Sequence, residues 1–223
     1  MRCCLRIALT VQIFVVMAVA ASKPHLIVFG KWTTVKWMSG AEENKPVDLR
    51  IRALFLDGRQ KEFTFDATHE ITDRLFVVRR ALRVNDALPQ ESGGPARWSW
   101  QPAGWLLIDR ATGHISQITL PDFDPAYSVA TWYRDYVAYC GFSEDGKKID
   151  AVVMQVGRRK PILKKSLGKT DGADPSADCD TPTWQRQPAR VSFSAWDQNL
   201  TYAIRGRATE TLPADIDEDE SSE

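Results

Sequence analysis

Few residues of this chain could carry proton or nucleophile chemistry. Its histidines are His25, His69 and His114. His69-Glu70 begins like the H-E-x-x-H zinc helix of metalloproteases, but position 73 is Asp and the flanking residues lack a helical apolar stripe. No G-x-S-x-G nucleophile elbow, phosphate-binding P-loop or G-x-G-x-x-G turn occurs. Each histidine therefore reads as a surface or turn residue. Chemistry without a linear motif stays open: a glycosidase-type carboxylate pair is defined by a separation of about 5–10 Å in space, not by spacing along the chain. The sequence points to no catalytic residue, no metal and no cofactor.

Two acidic clusters invite a calcium reading, Asp171, Asp174, Asp178 and Asp180 in one stretch and Asp122 and Asp124 in another. Calcium takes six to eight oxygens from a sharply turning loop, and neither cluster has the D-x-[DN]-x-[DN]-G spacing. Solvated loop acids are the expectation.

The aromatic residues carry more information. Eight tryptophans are many for 223 residues. Trp98 and Trp100 lie two apart and share one face of a strand. An indole is a flat apolar platform with one donor, suited to stacking a sugar ring or gripping a partner; ordinary core packing competes with that role. Trp132-Tyr133-Arg134-Asp135 sets two aromatics, a forked cation and a carboxylate just before a strand, where β scaffolds carry binding sites. A structural turn network would use the same residues. Trp98, Trp100, Trp132, Tyr133, Arg134 and Asp135 are the candidate ligand-binding set.

A basic stretch follows. Lys147, Lys148, Arg158, Arg159, Lys160, Lys164, Lys165 and Lys169 stand against three acids between residues 144 and 169. Thr209–Glu223 is its complement, with seven acids and no base, and reads as a solvated tail. A transient contact between the two is expected. The whole chain has 29 basic and 29 acidic residues, which gives no reason to expect nucleic acid as a partner.

The N-terminus sets the compartment. Arg2 and Arg6 precede an apolar run, Ile7–Ala21, and Ala18-Val19-Ala20 fits a signal peptidase site. A membrane anchor is the competing reading, but a spanning helix needs about 20 apolar residues and this run is shorter. Cys3 and Cys4 precede the run, whereas a lipoprotein cysteine must follow it. The expected product starts near Ala21, without a transmembrane anchor, in the periplasm or the medium. It keeps two cysteines, Cys140 and Cys179, and an even count in an oxidising compartment suggests one disulfide. No C-x-x-C pair is present.

The mature chain reads as β structure. Val47–Leu56 alternates, with Val47, Leu49, Ile51, Ala53 and Phe55 on one face and Asp48, Arg50 and Arg52 on the other. Asp57-Gly58 is a hairpin turn, after which residues 62–65 return. Further strands are expected at 25–30, 33–38, 74–84, 98–101, 105–109, 114–120, 136–142, 149–156, 161–167, 190–195 and 200–205. Gln90–Arg97 and Gly168–Pro188 read as loops. Mean hydropathy is −0.31, which excludes a many-spanning helical membrane protein. The expectation is a signal peptide over 1–20, one all-β domain over 21–207 and the acidic tail over 208–223. Its many short antiparallel strands would form a propeller-like or barrel arrangement, with a β-sandwich as the alternative.

Gly104–Ile118, with its D-x-x-T-G turn, and Tyr136–Leu163, with Ser-Glu-Asp-Gly and Gly-Arg-Arg turns, are similar to blades of secreted bacterial propellers. D-L-R-I-R-A-L-F-L-D-G-R (48–59), T-D-R-L-F-V-V-R-R (72–80) and W-Y-R-D-Y-V-A-Y-C-G (132–141) resemble exported bacterial proteins of uncharacterised function. The resemblance implies export and contributes no activity. The expected function is a non-catalytic binding or interaction module of the bacterial envelope or extracellular space, with a glycan or an envelope protein as partner. The alternative is a hydrolase acting on carbohydrate or another envelope polymer through paired carboxylates.

Overall fold

The computed structural model describes residues 25–38, 46–85, 96–170, 179–196 and 198–204. The expected signal peptide, the acidic tail, most of the Gln90–Arg97 stretch and the acids Asp171, Asp174 and Asp178 lie outside the described residues. Among those described, every regular element is a strand.

The first sheet has seven antiparallel strands: β1 (Ile27–Phe29), β2 (Thr33–Met38), β3 (Pro46–Leu56), β4 (Arg59–Glu70), β5 (Leu75–Asn85), β6 (Trp98–Asp109) and β7 (Ile115–Ile118). β3 to β7 follow one another as a meander, and β1 and β2 pair with successive stretches of the free side of β3. A four-stranded sheet holds β8 (Thr131–Tyr133), β9 (Tyr136–Phe142), β10 (Lys148–Gln155) and β11 (Leu163–Lys169) in the order β11-β10-β9-β8. A three-stranded sheet holds β12 (Thr183–Gln185), β13 (Arg190–Ala195) and β14 (Gln198–Ala203). The all-β expectation holds. The sheets stay open instead of closing into barrels, so the arrangement is sandwich-like. The seven-stranded sheet curls enough to bring β2 against β6.

Local chemistry explains several of these strands. Asp57 and Gly58 both have left-handed backbone, φ 51° and 76°, as a two-residue turn matching strand twist requires; Leu56 pairs with Arg59 directly across it. The alternation of β3 holds for Leu49 and Ile51, buried on either side of the exposed Arg50. Beyond them it changes. Leu54 is fully buried on the other face, because β1 pairs there and brings Ile27 and Phe29 over it. Val47 is 41% exposed. The expected single apolar face of β3 is thus two half-faces, each covered at a different end.

The four-stranded sheet is the middle layer. One of its faces, with Ala138, Cys140, Ile149 and Val153, packs against Val191, Phe193 and Ala195 of the three-stranded sheet. The opposite face, with Val137, Tyr139, Val152 and Met154, packs on Phe123 and Trp132. A strand covered on both faces has no polar side to show, so β9 reads as a continuous apolar run and not as an alternation. Fully burying a side chain such as Phe193 contributes roughly 1.5–3 kcal/mol, which makes this doubly covered sheet the centre of the core.

Two strands fall where none was expected. β8 and β12 have three residues each, and β12 lies inside Gly168–Pro188, which the composition marks as loop. The expected strands at 98–101 and 105–109 are one strand, β6, whose pairing with β5 shifts register between Arg79 and Ala81. Of the blade-like segments, Tyr136–Leu163 makes β9, β10 and the first residue of β11, a meander within one sheet. Gly104–Ile118 is the β6–β7 hairpin at the edge of the seven-stranded sheet.

Candidate functional site

β8 brings Trp132 and Tyr133 to opposite sides of one short strand. Trp132 reaches the seven-stranded sheet, where its ring lies 5.6 Å from the His69 ring, stacked at 24°, and 5.0 Å edge-on to Trp105. His69 Nε2 donates to the Arg134 carbonyl at 2.7 Å; a carbonyl only accepts, so the contact places a proton on that nitrogen. Tyr133 turns the other way. Its ring lies 5.5 Å from Trp184 of β12, and its hydroxyl donates to the Arg186 carbonyl at 3.3 Å. Trp184 Nε1 in turn donates to the Thr131 carbonyl at 3.3 Å.

Arg134 and Asp135 form the two-residue turn between β8 and β9. Arg134 takes φ 53°. The Asp135 carboxylate accepts from Gln155 Nε2 at 2.7 Å, and its carbonyl accepts from the Val156 N–H at 2.8 Å. These four candidates therefore tie three sheets together. Trp132, Tyr133 and Asp135 contact neighbouring protein through their side chains, while Arg134 is exposed beside the Tyr133 ring.

Trp98 and Trp100 stand differently. Trp98 is 55% exposed, with the Arg83 guanidinium 5.1 Å from its ring. Trp100 meets Phe63 edge-on at 4.8 Å. It also lines a pocket of about 290 Å³ at the mouth of the curled sheet, together with Phe55, Phe63, Val35, Gly30 and Lys31. Arg52 forms part of the same wall. Its guanidinium lies 3.8 Å from the Phe29 ring centre and 4.4 Å from that of Trp32, and burial pushes its pKa down. Three aromatic rings beside two cations make a site for a flat, partly apolar ligand with polar or anionic substituents. Phe55, Phe63 and Lys31 escape a reading of the sequence, because Phe55 on β3, Phe63 on β4 and Lys31 after β1 meet Trp100 of β6 only through the curl of the sheet.

The basic stretch divides between faces. Lys164 pairs with Asp122 at 2.6 Å and with Asp150 at 3.5 Å, and the Asp122 contact raises its pKa. Lys165, one residue on, points to the opposite face of β11, in register with Ala151. Lys147 and Lys148 sit at the far end of the β9–β10 hairpin and are exposed. Arg158, Arg159 and Lys160 are exposed in the turn before β11. Arg158 and Arg159 overhang a cleft of about 480 Å³ between β7 and the end of β10, whose apolar lining includes Leu107, Ile118, Leu120, Val137 and Met154.

Asp122 and Asp150 converge on Lys164, whose single charge offsets one of the two. Neither the mouth pocket nor the β7 cleft has a carboxylate in its lining. Asp66 is a carboxylate whose pKa is raised by burial. It takes φ 61° and faces Arg79 at 3.7 Å. Arg79 is itself held by the Pro125 carbonyl at 2.7 Å and the rings of Phe65 and Phe123. Among the described residues no three His, Cys, Asp or Glu side chains converge as a metal site would need, and no helix is long and apolar enough to cross a membrane. Cys140 and Cys179 come within disulfide reach, with Cα atoms 6.5 Å apart.

No protein-family model, curated protein or solved structure matches the chain.

Proposed function

We propose that the chain is an exported binding module of the bacterial envelope or extracellular space, and that the mouth of the seven-stranded sheet is its ligand site. The reading rests on one observation: Trp100, Phe55 and Phe63 wall a pocket of about 290 Å³ with Lys31 and Arg52 at hand. Concave sites with an apolar lining and a few placed polar groups are the usual form of a small-ligand site. A sugar ring presents one apolar face to an indole and hydroxyl or acidic groups to cations, so a glycan fits this wall.

Screening the protein against a panel of neutral and acidic oligosaccharides, followed by tryptophan fluorescence titration, tests the site. A bound glycan should quench fluorescence, and Trp100→Ala with the fold retained should weaken binding about tenfold or more, the loss of one stacked anchor. Unchanged affinity in that variant would remove Trp100 from the site. Export is tested separately by N-terminal sequencing of secreted protein, which should begin near Ala21; a chain beginning at Met1 would overturn it.

A further inference from the structure

The cleft beneath Arg158 and Arg159 has an unusual wall. Residues 116–120 line it consecutively. A strand that showed a face would contribute alternate residues, so a consecutive run means that β7 presents its edge. β7 is the last strand of its sheet, paired only with β6. Among the described residues no strand pairs with its other side, whose backbone donors and acceptors are a template for strand addition. Arg158 and Arg159 stand across the groove, and neither is in an ion pair with a described residue. Lys164, further along the same stretch, is already held by Asp122 and Asp150.

The chain supplies a segment of matching pattern. Leu212-Pro213-Ala214-Asp215-Ile216-Asp217 alternates apolar and polar residues, and Glu218, Asp219 and Glu220 follow. In extended conformation Leu212, Ala214 and Ile216 share one face. A proline is tolerated in a strand that pairs on one side only. Ile204 belongs to the cluster on the face of the four-stranded sheet opposite the one that Val137 and Met154 share. Ile204, the last described residue, packs in the same cluster as Ile162, and the Tyr202 hydroxyl donates to the Ile162 carbonyl at 3.5 Å. Ile162 is three residues beyond Arg159. The eight residues from Arg205 to Leu212 can span up to about 26 Å.

We propose that residues 212–217 of this chain add to the free edge of β7, with Leu212, Ala214 and Ile216 on the apolar wall of the cleft and the following acids toward Arg158 and Arg159. Strand β11 is a second edge beside basic residues, and its Lys164, Lys165 and Ser166 are exposed.

Amide NMR on the full chain tests this with two variants. Leu212→Ser/Ile216→Ser removes the apolar face and keeps every charge. Asp215→Asn/Asp217→Asn/Glu218→Gln/Asp219→Asn/Glu220→Gln removes the charge and keeps the apolar face. Both should shift the amides of residues 115–120 and 155–159 and lower the exchange protection of β7 about tenfold. Raising the salt to about 0.5 M, where screening is short-ranged, should produce the same shifts in the unaltered chain. Four outcomes would overturn the proposal. One is unchanged β7 amides in both variants, and another is changes confined to β11. A third is sensitivity to the charge variant alone, which would mean attraction without strand addition. The last is β7 protection that rises with protein concentration, which would mean that a second copy supplies the strand.

Discussion

His69 and Trp132 are stacked across the junction of two sheets, ring centres 5.6 Å apart, while the same imidazole donates to the Arg134 carbonyl at 2.7 Å. One side chain at the end of β4 thus holds both the β8 ring and the β8–β9 turn. An aromatic pair contributes about 0.5–1.5 kcal/mol beyond burial, and a hydrogen bond about 0.5–1.5 kcal/mol net. His69→Ala should therefore lower unfolding stability by about 1–3 kcal/mol. His69→Phe keeps the stack, loses the donor and should fall between. Urea titrations of the three proteins check the order; equal midpoints would mean that the junction contributes nothing.

The Cys140–Cys179 pair joins β9, in the middle of the core, to the start of the third sheet. Its sequence separation is 39. In the chain-entropy model a loop of that size stabilises the fold by up to about 4 kcal/mol, and measured values run lower. Cys140→Ala/Cys179→Ala should lose about 2–4 kcal/mol relative to the oxidised protein. Mass spectrometry of the unreduced protein should find no free thiol at either position. Titration of both cysteines by a thiol reagent in the folded protein would exclude the bridge.

Acid should loosen the loop end of the seven-stranded sheet before the rest. The Arg74 guanidinium holds the Asp109 carboxyl well below the usual range, with help from the Ala111 and Thr112 N–H groups. Arg110 lowers Glu70 in the same way, through bonds of 2.7 and 2.9 Å. A carboxylate with a depressed folded pKa contributes stability that is present above its unfolded pKa, near 4, and is lost as pH falls through the folded value. Asp109→Asn should therefore destabilise the protein at pH 7 and flatten the fall in stability below about pH 4. Thermal melts of both proteins across that range check the sign. Parallel acid limbs would show that Asp109 carries none of the dependence.

Much of the strand content was legible in the residues. Thr33–Met38, Tyr136–Phe142 and Arg190–Ala195 stand where the sequence predicts them, because runs of β-branched and aromatic residues bounded by turn residues leave the backbone little else to do. Asp57-Gly58 marks its hairpin for the same local reason. The cysteine pairing is legible by elimination, since two thiols remain once the N-terminal pair is set aside.

Tertiary structure decided the rest. β8 and β12 are three-residue strands, too short for any periodicity and defined only by the neighbours they pair with. β9 loses its alternation because one face is covered by the three-stranded sheet and the other by Leu120, Phe123 and Trp132. Trp132 and Tyr133 are adjacent in sequence and serve different interfaces, since successive strand side chains point opposite ways. The same pleat separates Lys164 from Lys165 and divides a basic stretch that composition presents as one. In the candidate site, Trp100 was visible as an aromatic on a strand face, but Phe55, Phe63 and Lys31 were not. Spacing along a chain records which residues share a face of one strand. Which strands meet at a mouth is set by the curl of the sheet, and that depends on bulges, twist and packing acting over the whole domain.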